Sequence, residues 1–338
     1  MSRSDERSPL VRVALCSGVG TLAIGAFIAW YELLHDKPLK CSEFEPHNAS
    51  RAIGYSPVYR LTANRTLAVD VARTRRRGAT TTPITCCITT TGSRIRRLQP
   101  VLLSFARQRP APSAIVVAPD SRVPWSVVRD AALRWDQLAA VGAPVRVVRM
   151  PDQLGPLDKA WGCVRYAEHA ALPAHAVLIV SDDDYKRGAG WVARLASHAL
   201  LRGPADRHLV SFELEPHAST SLRVRGSNGY AAYVGSFGSA SDMYDFAVRV
   251  EEACRCMDDV SIVGYMRGPR GCSVHHHSLS TRAFWQTKGV LAAGLQGKHS
   301  LHISMSANQR LRMQRYCVTA MRREFPSVPD VLATDGRT

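Results

Sequence analysis

From residue 83 onward, short apolar runs alternate with segments whose apolar residues recur at helical spacing. The run at 84–90 is apolar and β-branched, which is typical of a buried strand, whereas 94–108 places Ile95, Leu98 and Leu102 on one helical face. The two patterns repeat along the chain. They predict further strands at 113–118, 144–149, 176–180 and 208–214, and further helices at 127–140, 158–169, 190–201 and 305–325.

Alternating strands and helices predict an α/β fold with a mostly parallel sheet covered on both faces, because each helix returns the chain between parallel strands. In such sheets, ligands bind beyond the carboxyl ends of the strands. We therefore expect the chemistry of the protein in the loops near 90–94, 119–120, 150–159 and 181–184.

A charge-free run of 19 residues, 13–31, lies near the N-terminus. A helix of that length covers about 28 Å, close to the roughly 30 Å hydrocarbon core of a bilayer. Two aromatic residues close the run and three arginines precede it: Trp30, Tyr31, Arg3, Arg7 and Arg12. We predict an uncleaved transmembrane anchor at 13–34 behind a cytoplasmic tail at 1–12. A cleaved secretory signal and a soluble core helix are the alternatives.

Residues 35–80 show no sustained period and predict a stem, so that the folded domain is expected at 81–330. Glycosylation sequons begin at Asn48 and Asn64, and eight of the nine cysteines follow the anchor. Both features agree with a lumenal domain in the endomembrane system, with the Golgi favoured. The cysteine spacing leaves the pairing open.

Composition narrows the class of protein. Hydrophobic residues make up 46% of the 338 residues and charged residues 21%, which excludes a mainly disordered chain. The formal net charge is +16, but arginine is spread along the whole chain and no nucleic-acid-binding motif accompanies it. We therefore predict no nucleic-acid partner and read the charge as a hint of anionic ligands or a membrane surface.

Three consecutive aspartates, Asp182, Asp183 and Asp184, follow the apolar run at 176–180. Because like charges repel, something positive has to compensate them, and hard divalent cations prefer carboxylate oxygens. Along a strand, Asp182 and Asp184 project to the same side. A solvated acidic turn before the next helix is the alternative. In a chain with 28 acidic residues against 44 basic ones, the triplet favours a metal site.

The segment 154–159 (LGPLDK), a helix and then 177–184 (VLIVSDDD) together resemble the GT-A glycosyltransferases, in particular family 2-like enzymes. Those enzymes carry a Gly-Pro-x-x-Lys segment before an Asp-x-Asp motif. The stretch 89–94 (TTTGSR) is similar to their first nucleotide-binding loop. The resemblance covers about 82–266. It implies a Rossmann-like GT-A sheet with a nucleotide-sugar-binding part at 81–215 and an acceptor-binding part at 216–330.

The resemblance implies roles for the donor side. Asp182 and Asp184 would hold Mn²⁺ or Mg²⁺ on the diphosphate of a nucleotide-sugar, with a UDP-sugar favoured, and Lys159 would approach the phosphates. Asp183 would contact the ribose or the donor sugar. Two threonines and an arginine would line the side of the base and ribose: Thr90, Thr91 and Arg94.

It also implies an acceptor side, where we place Gly229, Tyr230 and Asp242. An ordinary turn is the alternative for the glycine-bearing loop. Asp258 and Asp259 resemble the family's second acidic motif, and one of them would be the catalytic base of an inverting transfer. A helix N-cap is the alternative for the other.

One histidine of the run 275–277, placed at His276, would be a third metal ligand, with a structural histidine as the alternative. The sequence thus predicts a membrane-anchored, metal-dependent glycosyltransferase that acts on a glycan or glycoprotein acceptor. Nucleotidyl transfer on the same fold is one alternative. A non-catalytic, membrane-anchored module that binds anionic polymers is the other.

Overall fold

The structure is a computed structural model, and it describes residues 56–71, 82–150, 157–214, 224, 227–250, 254, 257–291 and 307–330. Within these ranges no helix is long and apolar enough to cross a membrane. The predicted tail, anchor and first sequon lie outside the described residues, as does the Gly-Pro pair of the 154–159 segment.

Among the described residues, nine strands form one sheet in the order β10-β8-β9-β6-β3-β4-β5-β1-β2, and β7 pairs with β11 in a small second sheet. The strands are β1 Val58–Leu61, β2 Leu67–Val69, β3 Ile84–Thr90, β4 Ala114–Pro119, β5 Val145–Val148, β6 Val177–Ser181, β7 Tyr185–Lys186, β8 His208–Leu214, β9 Tyr230–Tyr233, β10 Ser273–Leu279 and β11 Val290–Leu291. Strands β6, β3, β4 and β5 are parallel neighbours, as are β8 and β10. The predicted α/β class is confirmed, but the sheet is mixed and not mostly parallel, because β9, β1 and β2 pair antiparallel with their neighbours.

Helices cover the sheet, and a 3-10 helix, Gly92–Arg97, follows β3. The α-helices are α1 Gln99–Ala106, α2 Trp125–Ala132, α3 Asp136–Ala140, α4 Asp158–His169, α5 Trp191–Arg202, α6 Val234–Phe237, α7 Ala240–Arg249, α8 Asp258–Arg267, α9 Thr281–Lys288 and α10 Ala307–Glu324. Successive side chains of a strand point to opposite faces of the sheet. In β3, Cys86 packs in the core with α1, α2 and α5, whereas its neighbour Cys87 forms a disulfide with Cys163 of α4 on the other face.

Two predicted helices are each divided in the structure. The segment 94–108 becomes the 3-10 helix and α1, because Pro100 lies in the first turn of α1 and cannot donate a hydrogen bond to the preceding turn. The segment 127–140 becomes α2 and α3, and the turn between them places Trp135 fully in the core. The predicted helix at 158–169 and strand at 208–214 are confirmed at both ends.

Two strands of the main sheet lie inside the segment predicted to be a stem. Strand β1 pairs antiparallel with β5, and β2 pairs with β1, so residues 58–69 form one edge of the sheet. Val58 is buried there, and the rings of Tyr59 and Trp125 are 4.4 Å apart. A stem that runs to residue 80 is therefore wrong for this stretch, which belongs to the folded domain.

Candidate active site

The aspartate triplet lies at the carboxyl edge of the parallel strands, directly after the interior strand β6. Register pairs Ile88 of β3 with Ser181 of β6, which brings the end of β3 at Thr90 level with Asp183. The backbone amide of Asp120, after β4, donates to the Thr90 carbonyl at 2.9 Å. Three of the loops in which the sequence predicted the functional site, near 90–94, 119–120 and 181–184, therefore meet at one edge.

Two of the three carboxylates are held by basic side chains. The Lys159 ammonium, only 2% exposed, lies 2.5 Å from Asp182 Oδ1. The Arg94 guanidinium lies 2.8 Å from Asp183 Oδ1, and the Asp183 side chain is only 6% exposed. In the structure Lys159 and Arg94 thus pair with two of the three carboxylates, contacts that their predicted roles toward phosphates and nucleotide did not include.

Asp184 forms no side-chain hydrogen bond or ion pair within the described residues, and its Oδ1 atom is buried without a hydrogen-bond partner. Burial, together with the adjacent charges of Asp182 and Asp183, raises the pKa of Asp184 to about 6. Ionised Asp184 is thus costly, because Arg94 and Arg187 offset the effects of burial and of the two adjacent charges only in part. A cation placed there would remove that cost.

Burial and neighbouring cations act against each other on the other two carboxyls. Burial raises the pKa of Asp183, although Arg94 and the Thr90 hydroxyl oppose the rise. Burial also acts to raise the pKa of Asp182, but Lys159 outweighs it with help from Arg187, and the net pKa is lowered. Asp182 is therefore the firmly ionised member of the triplet.

No sequence pattern singled out Arg187, which is buried near the triplet. It hydrogen bonds the Ser181 hydroxyl and donates to the Ser227 carbonyl at 2.6 Å. Its guanidinium also lies over the Trp191 ring, 4.8 Å from the centroid. Burial lowers the pKa of Arg187 to about 10, so it stays positive at neutral pH beside Asp182 and Asp184.

The turn before β9 reaches the same edge, because β9 runs antiparallel to β6 and starts where β6 ends. The Trp191 indole donates to the Asn228 carbonyl at 2.8 Å. Gly229 has a φ of +87°, and a Cβ atom there would lie 2.6 Å from the Trp191 ring. The predicted acceptor residues Gly229 and Tyr230 therefore stand beside the triplet, although Tyr230 is fully buried.

The structure separates His276 from the triplet. His276 lies on β10, three strands from β6, and its register partners Ser211, Tyr230 and Val180 run straight across the sheet. With strands about 4.8 Å apart, that is about 14 Å. Ligands of one metal ion must lie within a few ångströms of each other, so His276 in this position does not complete the predicted set.

Asp242 is also placed away from this edge. It is the third residue of α7, where it closes a capping box with Ser239, and it pairs with Arg270 at 3.6 Å. Strand β9 ends at the amino edge of the parallel strands, as the bond from the Val234 amide to the Ala176 carbonyl shows, and α7 starts there. The predicted acceptor role of Asp242 is therefore not supported by its position.

Asp258 and Asp259 are the first two residues of α8, and Met257 occupies the N-cap position. The alternative that one of the pair caps the helix is therefore wrong. Thr91 lies immediately before the 3-10 helix, at the N-cap position, and is exposed beside the carboxyl edge.

The site offers a divalent cation few protein ligands. No group of three or more histidine, cysteine or acidic side chains within the described ranges is arranged to hold a metal ion. The buried Asp184 Oδ1, which has no hydrogen-bond partner, and the Asp182 carboxylate are nevertheless hard acceptors. This donor set fits Mg²⁺ or Mn²⁺ held by one or two carboxylates, with the remaining ligands supplied by water or by substrate phosphates.

Comparisons with known proteins add little to this geometry. No family model matches the chain, and no match is found among curated proteins. Glucosyl-3-phosphoglycerate synthase from Mycobacterium tuberculosis, in complex with Mn²⁺, uridine-diphosphate and phosphoglyceric acid, aligns with a TM-score of 0.39 at 13% identity, over 74% of this chain and 80% of that one. A 4-diphosphocytidyl-2C-methyl-D-erythritol synthase aligns with a TM-score of 0.35 at 15% identity, over 59% and 90%. At such TM-scores these likenesses carry no argument about fold or activity.

Proposed function

We propose that the protein is a metal-dependent glycosyltransferase of the GT-A type that moves a sugar from a nucleotide-sugar, with UDP as the favoured nucleotide, to a glycan or glycoprotein. One observation carries the proposal. At the carboxyl end of strand β6, Asp184 has a buried oxygen without a hydrogen-bond partner, beside two carboxylates that Lys159 and Arg94 already hold. Such an edge is where open α/β sheets bind their ligands.

The proposed roles of the residues are those that the resemblance to GT-A enzymes implies. Asp184, with Asp182, would hold Mn²⁺ or Mg²⁺, which stabilises the charge of a departing nucleoside diphosphate. Thr90, Thr91 and Arg94 line the nucleotide side. Asp258 or Asp259 would take the proton of the acceptor hydroxyl, which makes the transfer inverting. The turn before β9 would border the acceptor.

The cellular setting is part of the same proposal. Two disulfides, Cys87–Cys163 and Cys254–Cys317, are consistent with an oxidising compartment. The charge-free run at 13–31 supports a single-pass anchor with the folded domain on the lumenal side. We favour the Golgi as the compartment.

Thermal unfolding of the full-length chain in detergent tests the proposal. UDP, GDP and CMP would each be added with and without Mn²⁺, at about 100 times the dissociation constant, where a ligand stabilises the fold by about 2.7 kcal/mol. We expect a Mn²⁺-dependent rise in Tm with one nucleotide, lost in Asp184→Asn and kept in Asp206→Asn, an exposed control. No shift with any nucleotide would refute the proposal and favour the binding module. Release of pyrophosphate from a nucleoside triphosphate would identify nucleotidyl transfer instead.

A further inference from the structure

The triplet is neutralised within the protein itself. Three carboxylates, Asp182, Asp183 and Asp184, face three cations, Lys159, Arg94 and Arg187. A divalent cation that enters this site alone would bring an excess charge of about +2 into a largely buried environment, where charges interact more strongly than in water. A diphosphate, with a charge of about −2 to −3, would cancel that excess.

Lys159 also stands where a metal ligand would be needed. Its ammonium is 2.5 Å from Asp182 Oδ1, and the lysine side chain is only 2% exposed, whereas that of Asp182 is 34% exposed. A cation bound to Asp182 and Asp184 would therefore meet the ammonium at close range. The same ammonium is a compact point charge on a flexible stem, which suits it to a phosphate oxygen.

We propose that Lys159 is an exchangeable counter-cation. It holds Asp182 in the ligand-free protein and transfers to the diphosphate when metal and diphosphate enter together, which releases Asp182 to the metal. This inference rests on the proposed function, because it takes the diphosphate of a nucleotide as the ligand. Arg94 stays on Asp183, whose side chain is more deeply buried than that of Asp182.

The exchange makes metal and nucleotide bind cooperatively. Metal alone has to break the ion pair between Lys159 and Asp182, so it binds weakly. Once a diphosphate offers the ammonium a new partner in exchange, the affinity for metal rises. Because such coupling is reciprocal, metal has to raise the affinity for UDP by the same factor.

The experiment is a Mn²⁺ titration of the full-length chain, followed by the EPR signal of free Mn²⁺, with and without saturating UDP. A protein-free titration corrects for the Mn²⁺ that UDP binds in solution. We expect UDP to raise the Mn²⁺ affinity of the wild type at least tenfold. Lys159→Met frees Asp182, so it should tighten Mn²⁺ binding in the absence of UDP about tenfold and remove most of the coupling.

Two further variants serve as controls. Lys159→Arg keeps the charge and should keep the coupling. Lys186→Met removes a lysine of β7 that is not among the charges acting on Asp184, and should leave both affinities unchanged. The wild-type titration tests the coupling even if a variant fails to fold.

The outcomes separate this inference from the function on which it rests. Equal Mn²⁺ affinity with and without UDP in the wild type overturns the exchange and leaves the transferase standing. Lys159→Met binding Mn²⁺ alone no more tightly than the wild type overturns it as well. Absence of any binding of Mn²⁺ and UDP, alone or together, overturns both proposals.

Discussion

At the scale of single residues, Asp184 works against the stability of the free protein. Its pKa of about 6 in the folded protein lies above the ordinary value of 3.8, so the folded state binds the proton more tightly than the unfolded chain. The stabilising effect of this protonation is complete below pH 4 and is lost as the pH rises through 6. Above that pH the ionised carboxylate opposes folding.

Asp184→Asn should therefore stabilise the metal-free protein above pH 7, by about 1 to 3 kcal/mol, because an amide replaces a buried charge of similar shape. Near pH 4 the variant and the wild type should be about equally stable. Denaturant unfolding at pH 4 and pH 8, in the presence of a chelator, measures both. A variant less stable than the wild type at pH 8 would show that Asp184 already has a cationic partner.

Metal binding should weaken in acid for the same reason. The proton and the metal compete for Asp184, so the affinity for Mn²⁺ in the presence of UDP should fall as the pH drops through about 6. A Mn²⁺ titration at pH 5 and pH 7.5 checks this. Equal affinity at the two pH values would remove Asp184 from the ligand set.

The sequence predicted that the three aspartates form a site, but it did not predict which basic side chains pair with them. Lys159 and Arg94 stand 23 and 89 residues from the carboxylates they hold, and only the folded sheet brings them together. Arg187 could not be singled out, because it is one arginine among many in this basic chain. Its role depends on complete burial, which a sequence pattern does not report.

At the scale of secondary structure elements, the turn before β9 depends on a glycine. Gly229 combines a φ of +87° with close packing on the Trp191 ring, whereas Gly203, at φ +75°, has no atom within 4 Å of an added Cβ. Gly203→Ala should cost about 1 kcal/mol of unfolding free energy through backbone strain alone. Gly229→Ala should cost more, about 2 to 4 kcal/mol, because the methyl group also displaces the indole.

Denaturant unfolding of the two variants side by side measures the difference. Equal losses would mean that the Trp191 ring moves aside freely, and the turn would then not be fixed by packing. The mutation should also disturb the Trp191–Asn228 hydrogen bond, which near-ultraviolet circular dichroism would report.

The edge strands β1 and β2 give a second test at this scale. A chain that starts at residue 79 lacks both strands, and with them the buried Val58, whose burial contributes about 1.5 to 3 kcal/mol. It also exposes the edge of β5, a template for aggregation. We expect a Tm about 5 °C lower than for a chain that starts at residue 56. Equal Tm values would return residues 58–69 to the stem.

Strands were predictable where they are buried on both faces. Strands β4 and β6 are buried at every position, and their uninterrupted apolar runs mark them in the sequence. Strands β1 and β2 are short and mostly half-buried or exposed, so no sustained pattern distinguishes them from a polar stem. Helix α4 was predictable because its 12 residues are enough to show apolar positions at helical spacing.

At the scale of the whole molecule, the disulfides tie distant parts of the chain together. Cys87–Cys163 joins β3 to α4 across 76 residues, one helical turn beyond Lys159. Cys163→Ala should lower the unfolding free energy by about 2 to 5 kcal/mol. Cys86→Ala, which removes a buried free thiol from the neighbouring position, should cost about 1 kcal/mol and serves as the control.

Thermal unfolding with and without reductant checks this expectation. Dithiothreitol should narrow the gap between the wild type and Cys163→Ala, because both then lack the same crosslink. A gap that reductant leaves unchanged would mean that the loss comes from packing at Cys163 and not from the bond.

The adjacent thiols of β3 have a consequence for how the chain is made. Cys86 and Cys87 point to opposite faces of the strand, so a bond from Cys86 to Cys163 would require β3 to turn over and present its core face to α4. Burial raises the pKa of the Cys86 thiol, which keeps it protonated and unreactive once the sheet has formed. Before the sheet forms, either Cys86 or Cys87 of the nascent chain can form a disulfide with Cys163. The yield of folded protein in the cell should therefore depend on a thiol isomerase that converts the Cys86–Cys163 bond into Cys87–Cys163.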